Sequence, residues 1–527
     1  MKKMLSLLLL PVLVLTLAAC GGSADGGFSG GSGTEADPYL ISSADDLWAM
    51  ASLINSNETR PEYTAAHYRM VSDIDLGGKK QWTPIDGCDL GFEGVFDGSG
   101  HTLKGLYINY KDPLSGNGEH EIGLFGQVKG TVKNLTVSDS SVTVKSDRSP
   151  YTAVIAAVIR GGSVENCHTT ASVSVTSSFD AAGIAGSVND DAAVSGCTNA
   201  ASVTVTATGN AGGICFRAAG PVSNCVNTGA IRAEAKAAGI SVAIYGGATD
   251  CRNEGDILAE HHAGGICASF EDGALNHGMN DASVTLLRCV NTGNVTSASS
   301  CAAGIATGCR TGKVVACENS GSVEGSKESG GILAFFQPSS FGEASKVFQV
   351  TDCVNTGSVT VSGDDMLYPT GGICGKIYQA GTSVFFENCR NEGAVTAMSP
   401  TGGILGAAQC SQLTFTGCEN TGRIQGMHAC GGIAGQYQSS RAEGVTEDIF
   451  TAENCRNEGS VFTDKPYGFR EYGFAGGILG SWRQEEGFVL TVSINNCVNL
   501  GSLDGNREDI ILCIHDLCGT YAQVVAE

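Results

Sequence analysis

The chain has 527 residues, a formal net charge of −23, 74 Gly and 22 Cys. The acidity makes nucleic acid and anionic lipid poor partners, and reads first as solubility of an exported protein, otherwise as attraction to cations or basic partners. The glycine content, with β-branched triplets such as Val203-Thr204-Val205, excludes an array of helical repeats.

Met1-Lys2-Lys3 and the apolar run to Leu17 read as a signal peptide over residues 1–19, too short for a stable membrane span. Leu17-Ala18-Ala19-Cys20 resembles the lipobox of bacterial lipoproteins. The resemblance implies cleavage before Cys20 and membrane attachment through a diacylglyceryl group on its thiol. A Gly/Ser-rich tether, Gly21 to Gly33, follows within a segment 20–37.

Residues 38–110 form the next unit, an N-terminal α/β cap with the first coils. Tyr39-Leu40-Ile41 predicts a strand, and Ser42 to Met50 a capped amphipathic helix running to about Asn55. Such a module would cover the open end of a stack of strands. Tyr68 to Leu76, Trp82 to Ile85 and Phe92 to Leu103 come next, then Gly123-Leu124-Phe125-Gly126 with Gly130-Thr131-Val132-Lys133-Asn134-Leu135. Here the chain resembles GLUG-motif bacterial surface proteins, and the resemblance extends from about Thr34 to Gly501. It implies a right-handed parallel β-helix, in proteins that serve as adhesins, stalks of surface enzymes or envelope lipoproteins. Related domains accompany immunoglobulin A-cleaving metallopeptidases.

The repeats themselves, placed in 111–505, carry Cys-x-Asn-x-Gly. Clear copies begin at Cys225, Cys251, Cys289, Cys353, Cys389, Cys455 and Cys497, with Cys317 and Cys418 in the same phase and degenerate copies at Cys167 and Cys197. The period runs from 26 to 42 residues, which marks one supersecondary unit stacked many times. Three residues before each Cys stands an apolar or small residue, and six after it an apolar one, Val173 to Leu503, so both positions are expected to point inward. A further strand is marked by Gly-Gly-Ile or Ala-Gly-Ile, as at Gly331-Ile332. Each unit therefore reads as three short strands, and about eleven coils predict a rod roughly 50 Å long. Asn227, Asn253, Asn291, Asn319, Asn355, Asn391, Asn420, Asn457 and Asn499 predict an asparagine ladder in a left-handed turn, with the following Gly at positive φ.

The Cys column reads as buried free thiols acting as small hydrophobes, with a shorter second ladder at Cys215, Cys267 and Cys374. Cys513 and Cys518, in a C-terminal cap over 506–527, are the exceptions, as a capping disulfide or as plain packing. Paired Cys-x-x-Cys spacing is absent, so no metal or other cofactor is expected.

Chemistry is sparse. A zincin would need a second His where Leu124 follows His120-Glu121, and the metallopeptidase reading fails there. His261-His262 form an isolated pair. Asp73, Asp75, Asp86, Asp89 and Asp97 are dense enough to suggest a glycosidase, yet Asp97-Gly98 is an ordinary turn pair. No catalytic residue is assigned.

Insertions near 271–282, 337–348, 437–450 and 463–474 are where a binding surface would lie. In the last, Tyr467, Phe469, Arg470, Tyr472 and Phe474 crowd together, with Trp482 following, and could hold a sugar or protein; the plainer alternative is a cover for the end of the rod. The resulting expectation is a surface-exposed, lipid-anchored, non-catalytic β-helix for adhesion or for binding a glycan or host protein. The alternatives are a polysaccharide-degrading β-helix enzyme and a passive envelope stalk.

Overall fold

A computed structural model describes residues 27–86, 90–110, 121–146, 150–269, 285–309, 312–337, 347–363, 368–378, 381–427, 429–438, 447–463, 474–483, 489–503 and 523–526. Every strand pair is parallel and joins equivalent positions of successive repeats, as in Val314 with Val350 and Asn319 with Asn355. The chain is a parallel β-helix.

Among the described residues, twelve successive coils hold five strands each rather than the three expected from sequence. In one coil these are Lys313–Val315, Glu318–Asn319, Val323–Gly325, Ser329–Gly330 and Leu333–Phe336. Stacked across coils they make five faces, numbered here in that order, with sixteen, fourteen, twelve, twelve and twelve strands among the described residues. Two of the five strands are only two residues long, too short for alternation to reveal them. Sixteen rungs at the ordinary strand spacing make the rod about 70 Å long, more than eleven coils would give.

The core is the column of inward side chains. Val164, Val222, Leu286, Val350 and Phe415, three residues before their Cys, are buried, as are Val173, Ile231, Val323 and Val461 six residues after. The thiols stack between them. Cys353 Sγ donates to the Val314 carbonyl of the previous coil at 3.6 Å and to Thr351 O at 3.4 Å. All cysteines among the described residues are free thiols. The second ladder is broken: Cys215 and Cys267 flank Ser241, and Ala306 and Leu333 separate them from Cys374. Burial pushes the Cys374 thiol up to about 12.

The asparagines form one continuous hydrogen-bonded column. Asn319 Nδ2 donates to Asn355 Oδ1 at 2.8 Å, Asn355 to Asn391 at 2.8 Å, and the series runs from Asn199 to Asn499. The other amide hydrogen of Asn355 goes to Gly357 O at 2.8 Å. Two expectations are corrected here. The left-handed residue is the one before the Cys, as at Asn224 (φ 53°), Asp352 (φ 55°) and Asn454 (φ 54°), not the ladder Asn. The Gly after the ladder Asn is required by close approach instead of positive φ: a Cβ on Gly357 would lie 2.0 Å from the Gly321 carbonyl oxygen of the coil below.

At the N-terminal end the helix Ala44–Asn55 starts at Ser43, whose Oγ accepts from Asp46 N at 3.2 Å while Asp46 Oδ2 accepts from Ser43 N at 3.0 Å. Its buried side chains Leu47, Met50 and Ile54 join the same core as Tyr68 and Trp82. The strand Tyr39–Ile41 is the outermost rung of the first face, and its exposed side is met by the backbone of Gly30, whose oxygen accepts from Leu40 N at 2.8 Å.

A re-entrant crease as the candidate functional site

On most of the rod, outward side chains meet solvent. Third-face strands such as Ile231–Ala233 and Ile257–Ala259 read buried, exposed, buried. The fourth and fifth faces differ: Phe125–Val128, Ala156–Ile159 and Ala185–Val188 are buried at every position. The corner between these faces therefore folds back on itself, and its outward residues lie in a crease along the rod.

Two local features make the crease. At the corner, the second Gly of Gly-Gly-Ile leaves no room for a side chain: a Cβ on Gly331 would be 2.2 Å from Asn355 Cγ of the next coil. The asparagine ladder and the Gly-Ile signature are thus two sides of one contact. Past the corner, the pairing of fifth-face strands lapses for one residue without a change of register: Ala185 pairs Cys215 and Ser187 pairs Arg217, while Gly186 and Phe216 between them are unpaired. Cys215 and Ala218 enter the main core, and Phe216 packs outside it with Ala238, Val242 and Ala268.

The crease changes character along its length. At its N-terminal end Gln127 Nε2 donates to both oxygens of buried Glu121 at 2.7 Å, and Arg160 Nη2 lies 3.5 Å from Glu121 Oε1. The Tyr151 and Phe216 rings follow, 5.3 Å apart, then Arg217, 5.6 Å from the Tyr245 ring centroid. Farther on His262 packs beside Phe335 at 6.5 Å. Cys301 Sγ lies 3.7 Å from Glu328 Oε2, and Lys376 Nζ donates to Glu328 Oε1 at 3.0 Å. Burial, with the nearby Glu328 charge, pushes the Cys301 thiol up to about 12, which leaves it protonated and unreactive at neutral pH.

The carboxylates singled out in the sequence are dispersed into structural roles. Asp73 Oδ1 accepts from Thr102 N at 2.9 Å, a bond that holds its carboxyl below the ordinary value, and His101 lies 3.4 Å away. Asp75 accepts from Gly77 N, and Asp97 accepts from Ser99 N and Asn134 Nδ2. Asp86 is buried against Arg60 at 2.5 Å, and burial raises its pKa despite that partner. Asp89 lies outside the described residues. His261 Nδ1 is 3.1 Å from Ser299 Oγ. Among the described residues no three His, Cys, Asp or Glu side chains gather as metal ligands would.

Of the aromatic set, Tyr467, Phe469, Arg470 and Tyr472 lie outside the described residues, as do the side chain of Phe474 and Cys20, Cys513 and Cys518. Trp482 is corrected: it is 5% exposed and packs in the main core, because its strand Leu479–Arg483 turns it inward beside Tyr437 of the preceding coil. Sequence reasoning missed the crease, although Phe216-Arg217 directly after a Gly-Gly-Ile-Cys strand breaks the alternation that a simple inward–outward strand would keep.

No family model matches the chain. Over 139 residues, 24% of this chain and 1% of the relative, it is 32% identical to "Halomucin" of Haloquadratum walsbyi. Over 125 residues, 22% of this chain and 13% of the relative, it is 34% identical to "Putative Gly-rich membrane protein" of Evansella cellulosilytica. The matched stretches thus span a small part of either relative. A solved "putative immunoglobulin A1 protease" from Bacteroides ovatus aligns over 95% of this chain and 87% of its own at 17% identity, with a TM-score of 0.20.

Proposed function

We propose that the chain is a lipid-anchored, extracytoplasmic rod of the GLUG-motif kind that holds a surface glycan without cutting it. The observation that carries this reading is the crease, a shielded furrow along a regular scaffold whose buried carboxylates are already engaged. Glu121 is bound to Gln127 and Arg160, Glu328 to Lys376, and Asp86 to Arg60. Glycosidic cleavage needs two carboxyl groups facing one bond, one of them able to give up a proton. The lipobox-like sequence ending at Cys20 and the membrane-protein name of one relative support an envelope location.

A cell-adhesion experiment tests it. Bacterial cells displaying the chain are expected to settle on polysaccharide-coated surfaces. Cys20→Ala should leave the protein outside the membrane fraction and abolish settling. Unchanged membrane association of Cys20→Ala, or settling that does not depend on the chain, would contradict the reading.

A further inference from the structure

We propose that the middle of the crease, around Arg217, binds an acidic polysaccharide through the carboxylate or sulfate of one sugar unit. The inference deepens the glycan-holding reading and rests on it.

The basis is an arginine whose buried Nε has no acceptor among the described residues. Arg60, Arg160, Arg252, Arg288, Arg390 and Arg456 each sit on a carboxylate. Arg217 has only the Tyr245 ring beneath it, and its buried Nε has no hydrogen-bond partner among the described residues. A desolvated guanidinium N–H without an acceptor is costly, so the position favours arrival of an anion. A guanidinium presents parallel donors that match a carboxylate or a sulfate.

The surroundings fit a sugar. On either side of Arg217 along the fifth face the rungs carry Ser187 and Ala243, both small, so that face does not crowd the guanidinium. Tyr151, half-buried against the Phe216 ring that precedes Arg217 in sequence, offers an aromatic surface to the apolar side of a sugar ring. The rest of the chain is acidic, but at physiological salt its field decays over about 8 Å, so distant charges on a rod of this length weigh little here.

The purified full-length protein is titrated with oligogalacturonate, dextran sulfate, a neutral cello-oligosaccharide and polyglutamate, alongside Arg217→Gln, Arg217→Lys and Ser187→Asp. Tighter binding of oligogalacturonate than dextran sulfate would identify a carboxylate as the recognised group, and the reverse a sulfate; either supports the proposal. Arg217→Gln is expected to weaken binding of that probe about tenfold or more, with Arg217→Lys intermediate. Ser187→Asp, which offers the guanidinium an internal acceptor, should weaken binding similarly. Unchanged melting temperatures would separate these losses from misfolding. Equal binding by the native protein and Arg217→Gln, or polyglutamate as the tightest probe, would overturn the proposal. Retention of only the neutral sugar, unaffected at Arg217, would overturn it while leaving the glycan-holding reading intact. Retention of none would overturn both.

Discussion

At the scale of single residues, the rod depends on a pairing between an amide and a missing side chain. Every ladder Asn packs against a Gly of the preceding coil, as Asn319 does against Gly304 and Asn355 against Gly331. The ladder stops where the pairing stops. Thr169 takes the Asn position and donates to Asn199 Oδ1 at 2.7 Å, and the matching position one coil earlier is Val154 in place of Gly. Thr169→Asn alone should therefore destabilise the protein, because Val154 fills the space its amide needs. Combined with Val154→Gly, it should recover part of that loss, with a favourable coupling of about 2 kcal/mol in a double-mutant cycle followed by urea unfolding. Additive effects would show that the two positions do not share a contact. Both motifs were visible in the sequence, but their contact was not, since 24 residues separate Gly331 from Asn355 and only the coil geometry brings them together.

At the scale of elements, the legible parts were those with strong local chemistry. The run Ser42 to Met50 signals a capped helix, which the structure caps with Ser43 and Asp46, and the phase of the Cys repeat marks the inward columns. Two-residue strands and the unpaired second residue of the fifth-face strands carry no period, so the sequence suggests three strands per coil and hides the crease. Asp46 gives the cap a pH signature. Burial alone would raise its pKa, but hydrogen bonds from Ser42, Ser29 and Ser43 hold it below the ordinary 3.8. A carboxyl depressed in the folded state stabilises above its unfolded pKa, and that contribution is lost as pH falls through the folded value. Asp46→Asn should thus lower the melting temperature at pH 7, while the two proteins converge once the pH is well below 3.8. A difference that persists undiminished in acid would place the effect of Asp46 elsewhere than in its charge.

At the scale of the whole molecule, the sixteen rungs of the first face among the described residues stay in register, and the lengths between strands vary most at two corners. Lengths between third- and fourth-face strands vary, as from Tyr107–Tyr110 to Glu121–Ile122 and from Val461–Thr463 to Phe474–Gly476. So do those between fifth- and first-face strands, as from Cys267–Ser269 to Thr285–Leu287. The crease runs between those two corners, which is why it, rather than the aromatic segment around Tyr467, is the face assigned to binding. The decisive measurement incubates the protein with an insoluble acidic polysaccharide and follows loss of protein from solution and release of sugar fragments in the same tubes. Native protein and a Tyr467→Ala, Tyr472→Ala double variant are predicted to be depleted equally, without fragments, while Ser187→Asp stays in solution. Fragment release, or depletion lost with the tyrosines and kept in Ser187→Asp, would contradict the account.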